Sequence, residues 1–567
     1  KSDQFSGRLG LIFASIGAAI GTGNIWRFPR MVGANGGGTF LIPWLIFLFV
    51  WSIPLVIAEF ALGKRSRVGT IGTFRIFAGK RFAWMGLWTA WISTAIGFYY
   101  AIVAGWCLNY FRLGFSGGLS NEVDTAEVWN AFLQSGSQVI FFQFLVIMIT
   151  VLAIWKGARA IEKVNVIMMI SLFILLFMAL FLSLWMDLED GSLDGFLFMF
   201  TVDFSQLDNP EIWINGLSQS AWSCSAGMGM AITYSVYMSK DEDTVLNAFT
   251  MGLANNSISI IAGLAVLSAI FAVEADPIST VSQGSSAITF LALPTVFAQA
   301  PGGAIGAWVM MWVFFLALTF AALTSMISTV ELCVRNFVDH GYERNRAVAI
   351  TASLIFVFGL PSAVLWIKFD ADGVAFPQFL EVQDHIWGYG LMFSGLFIAF
   401  AIWKYGYTRW RALVESGEGQ PGFAGYLKQG VSAFRDDFIN TGDNDIWVGR
   451  WWDVIMYIAF PVLFTVLMLS YFIDLVTTVD NPWDPSNPHG ITIILLFWSV
   501  VGILFILINK KLIGQTPIHL DGAEIACASR TLHTSRAKQT YHQYYHCTSI
   551  PAVNCLPLDI LPIIVGS

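Results

Sequence analysis

Apolar runs of about 20 residues, parted by short polar or charged stretches, recur along the chain from residue 10 to residue 508. They predict twelve membrane spans, near 10–31, 40–62, 84–111, 138–155, 161–185, 212–238, 245–273, 305–335, 347–367, 386–403, 453–473 and 490–508. Two runs are interrupted at their middles. In the first, Gly17-Ala-Ala-Ile-Gly-Thr-Gly-Asn-Ile-Trp-Arg-Phe-Pro29 sets three glycines, an Asn, an Arg and a Pro where a lipid-facing helix carries Leu and Val. In the sixth, Gln219-Ser-Ala-Trp-Ser-Cys-Ser-Ala-Gly-Met-Gly229 puts small and hydroxylated residues in the same place. Unpaired backbone is costly in hydrocarbon, so such breaks persist where they line a cavity or an ion site. Freed carbonyls there coordinate cations, and half-helix amino termini face anions.

The interrupted spans are five apart and so cross in opposite directions. This predicts an all-α polytopic fold: a 5+5 inverted repeat with helices 1 and 6 broken, and a binding site between them at mid-membrane. The chain divides into a cytoplasmic amino-terminal segment (1–9), a transport core (10–403), a cytoplasmic connection (404–452), helices 11 and 12 (453–513) and an atypical tail (514–567). Spans eleven and twelve fall outside the repeat and suit oligomer contacts, in a monomer or homodimer.

With 56% hydrophobic and 12% charged residues among 567, a soluble globular chain is excluded. The net charge of -8 is sorted by side and does not argue for a nucleic-acid partner. Lys64, Arg65, Arg67, Arg75, Lys80, Arg81, Lys156, Arg159, Lys163, Lys404, Arg409 and Arg411 flank one set of span ends. Asp187, Glu189, Asp190, Asp194, Asp370, Asp372 and Asp480 occupy the other. The positive-inside rule then puts both termini in the cytoplasm of a multi-pass protein of the cell (inner) membrane. No cleavable signal is visible, and a start at Lys1 rather than Met implies a few preceding residues. Cys107, Cys224 and Cys333 lie in spans without disulfide or metal spacing. No nucleotide-binding loop, zinc-protease motif or nucleophile elbow is present, so a transporter is expected rather than an enzyme.

Arg8-Leu-Gly10, Gly21-Thr-Gly-Asn-Ile-Trp-Arg-Phe-Pro29, Asn35-Gly-Gly-Gly38, Ile53-Pro-Leu-Val-Ile-Ala-Glu59, Tyr99-Tyr100, the broken sixth span, Thr324-Ser325 and Asp384 together resemble the neurotransmitter:sodium symporter family. The likeness is nearest its bacterial amino-acid branch and covers about residues 5–510. It implies sodium-driven symport by alternating access. The first sodium site matches the Ala19 carbonyl, Asn24, Ser223 and Asn255, completed by a substrate carboxylate. The second matches the Gly17, Ile20 and Ala321 carbonyls with the Thr324 and Ser325 hydroxyls. Such neutral oxygens suit a hard cation; taken alone, either hydroxyl more often bonds back to its own helix.

Monoamine-carrying relatives hold an Asp where this chain has Gly21, so the ligand here is expected to bring its own carboxylate. The resemblance sets that carboxylate against the amides near Gly21 and Gly23 and the Tyr100 hydroxyl, and an α-amino group against Ala19, Ser223 and Ser225. Ile96, Trp222, Met228, Ser325 and Thr329 match the positions that surround the side chain. Gly227-Met-Gly229 resembles relatives that accept bulky apolar amino acids, which implies large hydrophobic or aromatic substrates, with tryptophan a candidate. Arg27 and Asp384 match an outer gate; Asp339 matches an inner one, whose usual basic partner is replaced by Ser2 beside Lys1. Glu59 is expected to hold amides of a broken helix. Ser259 stands where chloride-independent relatives carry an acid. With Gln219, Ser223, Asn255 and Trp44 it resembles a chloride site, Trp44 replacing the usual Tyr. Relatives also carry a Pro in the fifth span after a Gly such as Gly157, and none occurs here before Trp185. The tail has Cys527, His533, His542, His546, Cys547 and Cys555 but no complete metal-ligand spacing. Two rival readings are a non-transporting sensor or scaffold of the same fold, and a sodium- and chloride-dependent carrier of another small zwitterion such as an osmolyte or amino-butyrate.

Overall fold

The structure, a computed structural model, describes residues 4–515 except 120–122, 190–191, 283–287, 370–372 and 442–443. Ser2 and Lys1, Asp190, Asp370, Asp372 and the cysteines and histidines of the tail lie outside the described residues. Ten described helices are long and apolar enough to cross a membrane. With the bent first span, Arg8–Ala19 and Gly23–Ala34, and the broken sixth, Pro210–Ser223 and Met230–Ser235, they make twelve. They fall into two sets of five, each opening with its broken member, followed by two more.

Each break follows from its residues. The first helix ends at Ala19 because Ile20 is extended, with ψ 118°. A π-helical turn over Gly23–Arg27 restarts it, and Pro29 enters where a missing N–H is harmless. The two halves meet at 54°. Asn209 caps the sixth span by accepting from Glu211 N at 3.0 Å. That helix ends at Ser223, and positive φ at Ser225, Gly227 and Gly229 turns the chain before Met230.

The remaining spans are Gly38–Ser66, Lys80–Phe115, Gly136–Ile154, Ala158–Glu189, Thr244–Val273, Gly303–Asp339, Arg344–Val364, Gln378–Glu415, Arg450–Thr478 and Ile491–Leu512. The fifth is unbroken. The tenth runs twelve residues past the expected boundary at 403, because Arg409 and Arg411 find Asp437 and Glu415 and keep the helix going after its apolar face ends. A short antiparallel hairpin pairs Ile367–Phe369 with Ala375–Pro377 between spans nine and ten, an element that the apolar periodicity did not predict. In the third span 83% of the apolar stretch is buried, against 28% and 22% in the eleventh and twelfth. The third is therefore a central strut and the last two are peripheral.

Candidate substrate and ion site

Where the first helix opens, its polar groups turn to other spans. Gly21 N donates to Asn24 Oδ1 at 3.0 Å, and Thr22 N donates to the Tyr100 hydroxyl at 3.1 Å. Asn24 Nδ2 donates to Asn255 Oδ1 and Ser259 Oγ, both at 2.8 Å, and lies 3.3 Å from Ser223 Oγ. Asn255 Nδ2 donates to Ser223 Oγ at 2.9 Å and to Cys224 Sγ at 3.3 Å. Asn24, Ser223, Asn255 and Ser259 are all buried, and Ala19 ends the first half-helix. Spans one, six and seven thus meet through uncharged oxygens. A cation among them would take the electropositive place that Asn24 Nδ2 holds.

A second cluster joins spans one and eight. Ser325 Oγ donates to the Ile20 carbonyl at 2.9 Å. Thr324 Oγ1 bonds back to the Phe320 and Ala321 carbonyls at 3.1 Å and reaches Ile20 O at 3.5 Å. A Cβ at Gly17 would lie 3.3 Å from Thr324 Cβ, so the two backbones approach closely here. Gly17, Ile20, Ala321, Thr324 and Ser325 are brought together.

Gly21 lies between the two clusters. A Cβ there would stand 2.8 Å from Ser325 Oγ and 3.1 Å from the Tyr100 hydroxyl, whereas one at Gly23 would meet nothing within 4 Å. Ile96 is buried on the same helix as Tyr100. Met228 is fixed by its carbonyl, which accepts from Ser93 Oγ at 2.6 Å. Ser225 Oγ donates to the Ala18 carbonyl at 3.0 Å, and Thr329 Oγ1 to the Ser325 carbonyl at 3.0 Å. These residues lie on spans three, six and eight. Glu59, fully buried in the second span, accepts from Gly227 N at 2.5 Å and faces the amides of Gly229, Ala231 and Ile232. A carboxylate facing the start of a resumed helix is a structural clamp on the break.

On the acidic side, Arg27 donates to Ser218 Oγ at 3.1 Å and lies 5.9 Å from the Trp222 ring centre. Asp384 accepts from the Tyr99 hydroxyl at 2.7 Å. Each of these two charges thus has its own partner, and no ion pair within 4.0 Å joins Arg27 to Asp384. On the basic side, Asp339 pairs with Arg335 at 2.7 Å and accepts from Gly69 N at 2.5 Å.

Sequence reasoning missed a neighbouring network. Glu331, fully buried, is gripped by both Arg344 terminal nitrogens at 2.6 and 3.1 Å and by the Tyr237 hydroxyl at 2.5 Å. Phe5 sets its edge against Tyr234 and Tyr237, with centroids 5.9 and 5.8 Å apart, while Ser6 reaches Glu162 and Arg8 reaches Glu242. A lone Glu in the apolar eighth run was the available signal. Of the chloride-type set, Ser223, Asn255 and Ser259 are together. Trp44 Nε1 and Gln219 Oε1 are buried without a hydrogen-bond partner.

The sodium:neurotransmitter symporter family model matches residues 2–133 and 133–422. An uncharacterized sodium-dependent transporter of Bacillus subtilis is 30% identical over 417 residues, 71% of this chain and 89% of that one. Another from Methanocaldococcus jannaschii is 29% identical over 489 residues, 82% and 90% of the two chains. The crystal structure of MhsT in complex with L-phenylalanine aligns with a TM-score of 0.66 and 28% identity, covering 83% of this chain and all of that one.

Proposed function

The chain belongs to the sodium:neurotransmitter symporter family, and from that premise we propose that it imports a neutral amino acid with a large hydrophobic or aromatic side chain. Transport is coupled to sodium, by alternating access, with the basic span ends and both termini in the cytoplasm and the acidic loops outside the inner membrane. The observation that carries the reading is the surroundings of Gly21. With no acid in the first span, the bound ligand supplies the negative charge, and the Tyr100 hydroxyl, the Gly23 region and the first oxygen cluster are its neighbours. Met228, an adaptable apolar wall, favours a bulky side chain; the phenylalanine held by MhsT is of that class.

Two sodium ions travel as co-substrates, one in each oxygen cluster. Asn24, Ser223, Asn255 and the Ala19 carbonyl hold the first beside the substrate carboxylate. The Gly17, Ile20 and Ala321 carbonyls with Thr324 and Ser325 hold the second. Two sodium ions and a zwitterion leave excess positive charge in a dry site, and the orphaned Trp44 N–H supports chloride as the balancing ion. Closure outside brings Arg27 and Asp384 off Ser218 and Tyr99 toward each other. The test is uptake of labelled phenylalanine, tryptophan and leucine into proteoliposomes under a sodium gradient. Accumulation above equilibrium supports transport; binding without accumulation shows a sensor instead.

A further inference from the structure

The basic span ends carry a cluster that the substrate and ion site leaves unused. Lys80 and Arg81 stand on the 3-10 turn Lys80–Phe82 that opens the third span, and Lys510 and Lys511 on the last turns of the twelfth. Asn509 joins the two. Its Nδ2 donates to the Lys80 carbonyl at 3.0 Å and lies 3.5 Å from the Arg81 carbonyl, while its Oδ1 accepts from Trp84 N at 2.8 Å. Asn509 is buried, whereas all four cationic residues are exposed. Several arginines on this side are neutralised: Arg335, Arg344, Arg409 and Arg435 pair with Asp339, Glu331, Asp437 and Asp453. Among the described residues, none of Lys80, Arg81, Lys510 and Lys511 forms an ion pair. Like charges gathered without an acid repel one another and attract an anion from outside. The surface next to them is apolar. Ile503, Ile506 and Leu507 are exposed and, at spacings of three and four, share a helix face that runs onto Lys510 and Lys511.

We propose that this cluster is a binding site for an anionic phospholipid: Lys80, Arg81, Lys510 and Lys511 hold its phosphate, and its acyl chains lie along Ile503, Ile506 and Leu507. A cationic group at the foot of an exposed apolar stripe matches both halves of such a lipid, whereas a soluble anion would use the polar half alone. Lysines that merely snorkel from a helix end need no fixed neighbour. Here a buried amide, with both its nitrogen and its oxygen bonded, pins the end of the peripheral twelfth span to the turn at the start of the central third. A lipid phosphate between Lys80, Arg81, Lys510 and Lys511 fastens the same two helices together. The inference goes beyond amino-acid import and stands independently of it.

The test is native mass spectrometry of the purified full-length protein in detergent, titrated with phosphatidylglycerol, phosphatidylcholine or glycerol 3-phosphate, with melting curves on the same samples. The wild type is expected to retain phosphatidylglycerol at least about tenfold more tightly than phosphatidylcholine, whose headgroup is neutral overall, and not to retain glycerol 3-phosphate. Each cation facing an anionic headgroup contributes about fivefold in affinity. The double variant Lys510→Gln/Lys511→Gln is therefore expected to weaken phosphatidylglycerol binding about 25-fold, and Lys510→Arg/Lys511→Arg, which keeps the charge, to preserve it. Lys156→Gln/Arg159→Gln removes an exposed basic pair outside the cluster and is expected to bind like the wild type. Asn509→Ala keeps all four charges but frees the turn, and is expected to weaken binding severalfold. Retention of phosphatidylglycerol by Lys510→Gln/Lys511→Gln at the wild-type level, or an equal loss in the Lys156 and Arg159 pair, would overturn the proposal. So would phosphatidylcholine held as tightly as phosphatidylglycerol. Glycerol 3-phosphate held as tightly as the lipid would show a site for a soluble anion instead.

Discussion

Replacing Gly21 by Ala tests the substrate site where its geometry is tightest. The added carbon would meet Ser325 Oγ at 2.8 Å and the Tyr100 hydroxyl at 3.1 Å, both inside normal contact. Ser325 cannot simply rotate away, because its Oγ ties the eighth span to the Ile20 carbonyl at 2.9 Å. Losing that bond costs about 1 kcal/mol, and overpacking a filled site costs about 1–3 kcal/mol. The two sum to about 2–4 kcal/mol, and even the low end of that sum weakens ligand affinity roughly 30-fold. Gly23→Ala is the control: its carbon meets nothing within 4 Å. The account expects wild-type thermal stability there, with reduced affinity for the bulkiest ligands alone. The assay is equilibrium binding of labelled phenylalanine to purified protein, paired with a melting curve. Affinity within threefold of wild type for Gly21→Ala would refute the placement of the ligand against Gly21, Tyr100 and Ser325.

Asn24→Ala removes a group bonded to both Asn255 and Ser259, and Thr324→Ala a hydroxyl of the second cluster. Each should weaken the sodium response of substrate binding at least tenfold, about 1.4 kcal/mol, while melting in sodium-free buffer moves little. An unchanged sodium titration in either variant would sink its assignment. Glu331→Ala leaves Arg344 half-paired in a buried network and should destabilise the fold by about 3–5 kcal/mol, read as a large fall in melting temperature. Unaltered melting would show that the pair is solvated. Trp44→Phe removes the orphaned N–H and keeps the ring against Phe28, 4.5 Å away. Uptake stimulated by chloride should lose that stimulation in the variant; a persisting chloride response would exclude Trp44 as a ligand.

The spans and both breaks were legible because membrane burial leaves few ways to be wrong. A long apolar run must cross, and Gly, Asn, Ser and Pro at mid-run have no place in lipid. The residues of the two oxygen clusters were named from motifs, and the fold brings them side by side: Asn24 to Asn255, and Ser325 to Ile20. What stayed hidden were the partners of charges. Asp339 matched an inner gate whose usual basic partner is replaced by Ser2, and among the described residues it bonds Arg335, one helical turn back. Glu331 gave no pattern of its own, since Arg344 comes from the next helix and Tyr237 from a distant one. The π-helical turns at Gly23–Arg27 and Asp384–Gly388 have no periodicity to read. The tenth span outran its apolar run because ion pairs, not lipid, support its last turns.

The most direct test of sodium-coupled amino-acid import is a time course of phenylalanine uptake into proteoliposomes, with sodium outside, potassium inside, and chloride exchanged for gluconate in a parallel series. The account predicts a transient accumulation above the external concentration that vanishes when external sodium is replaced by potassium. Uptake that only equilibrates, or that ignores the sodium gradient, would contradict it.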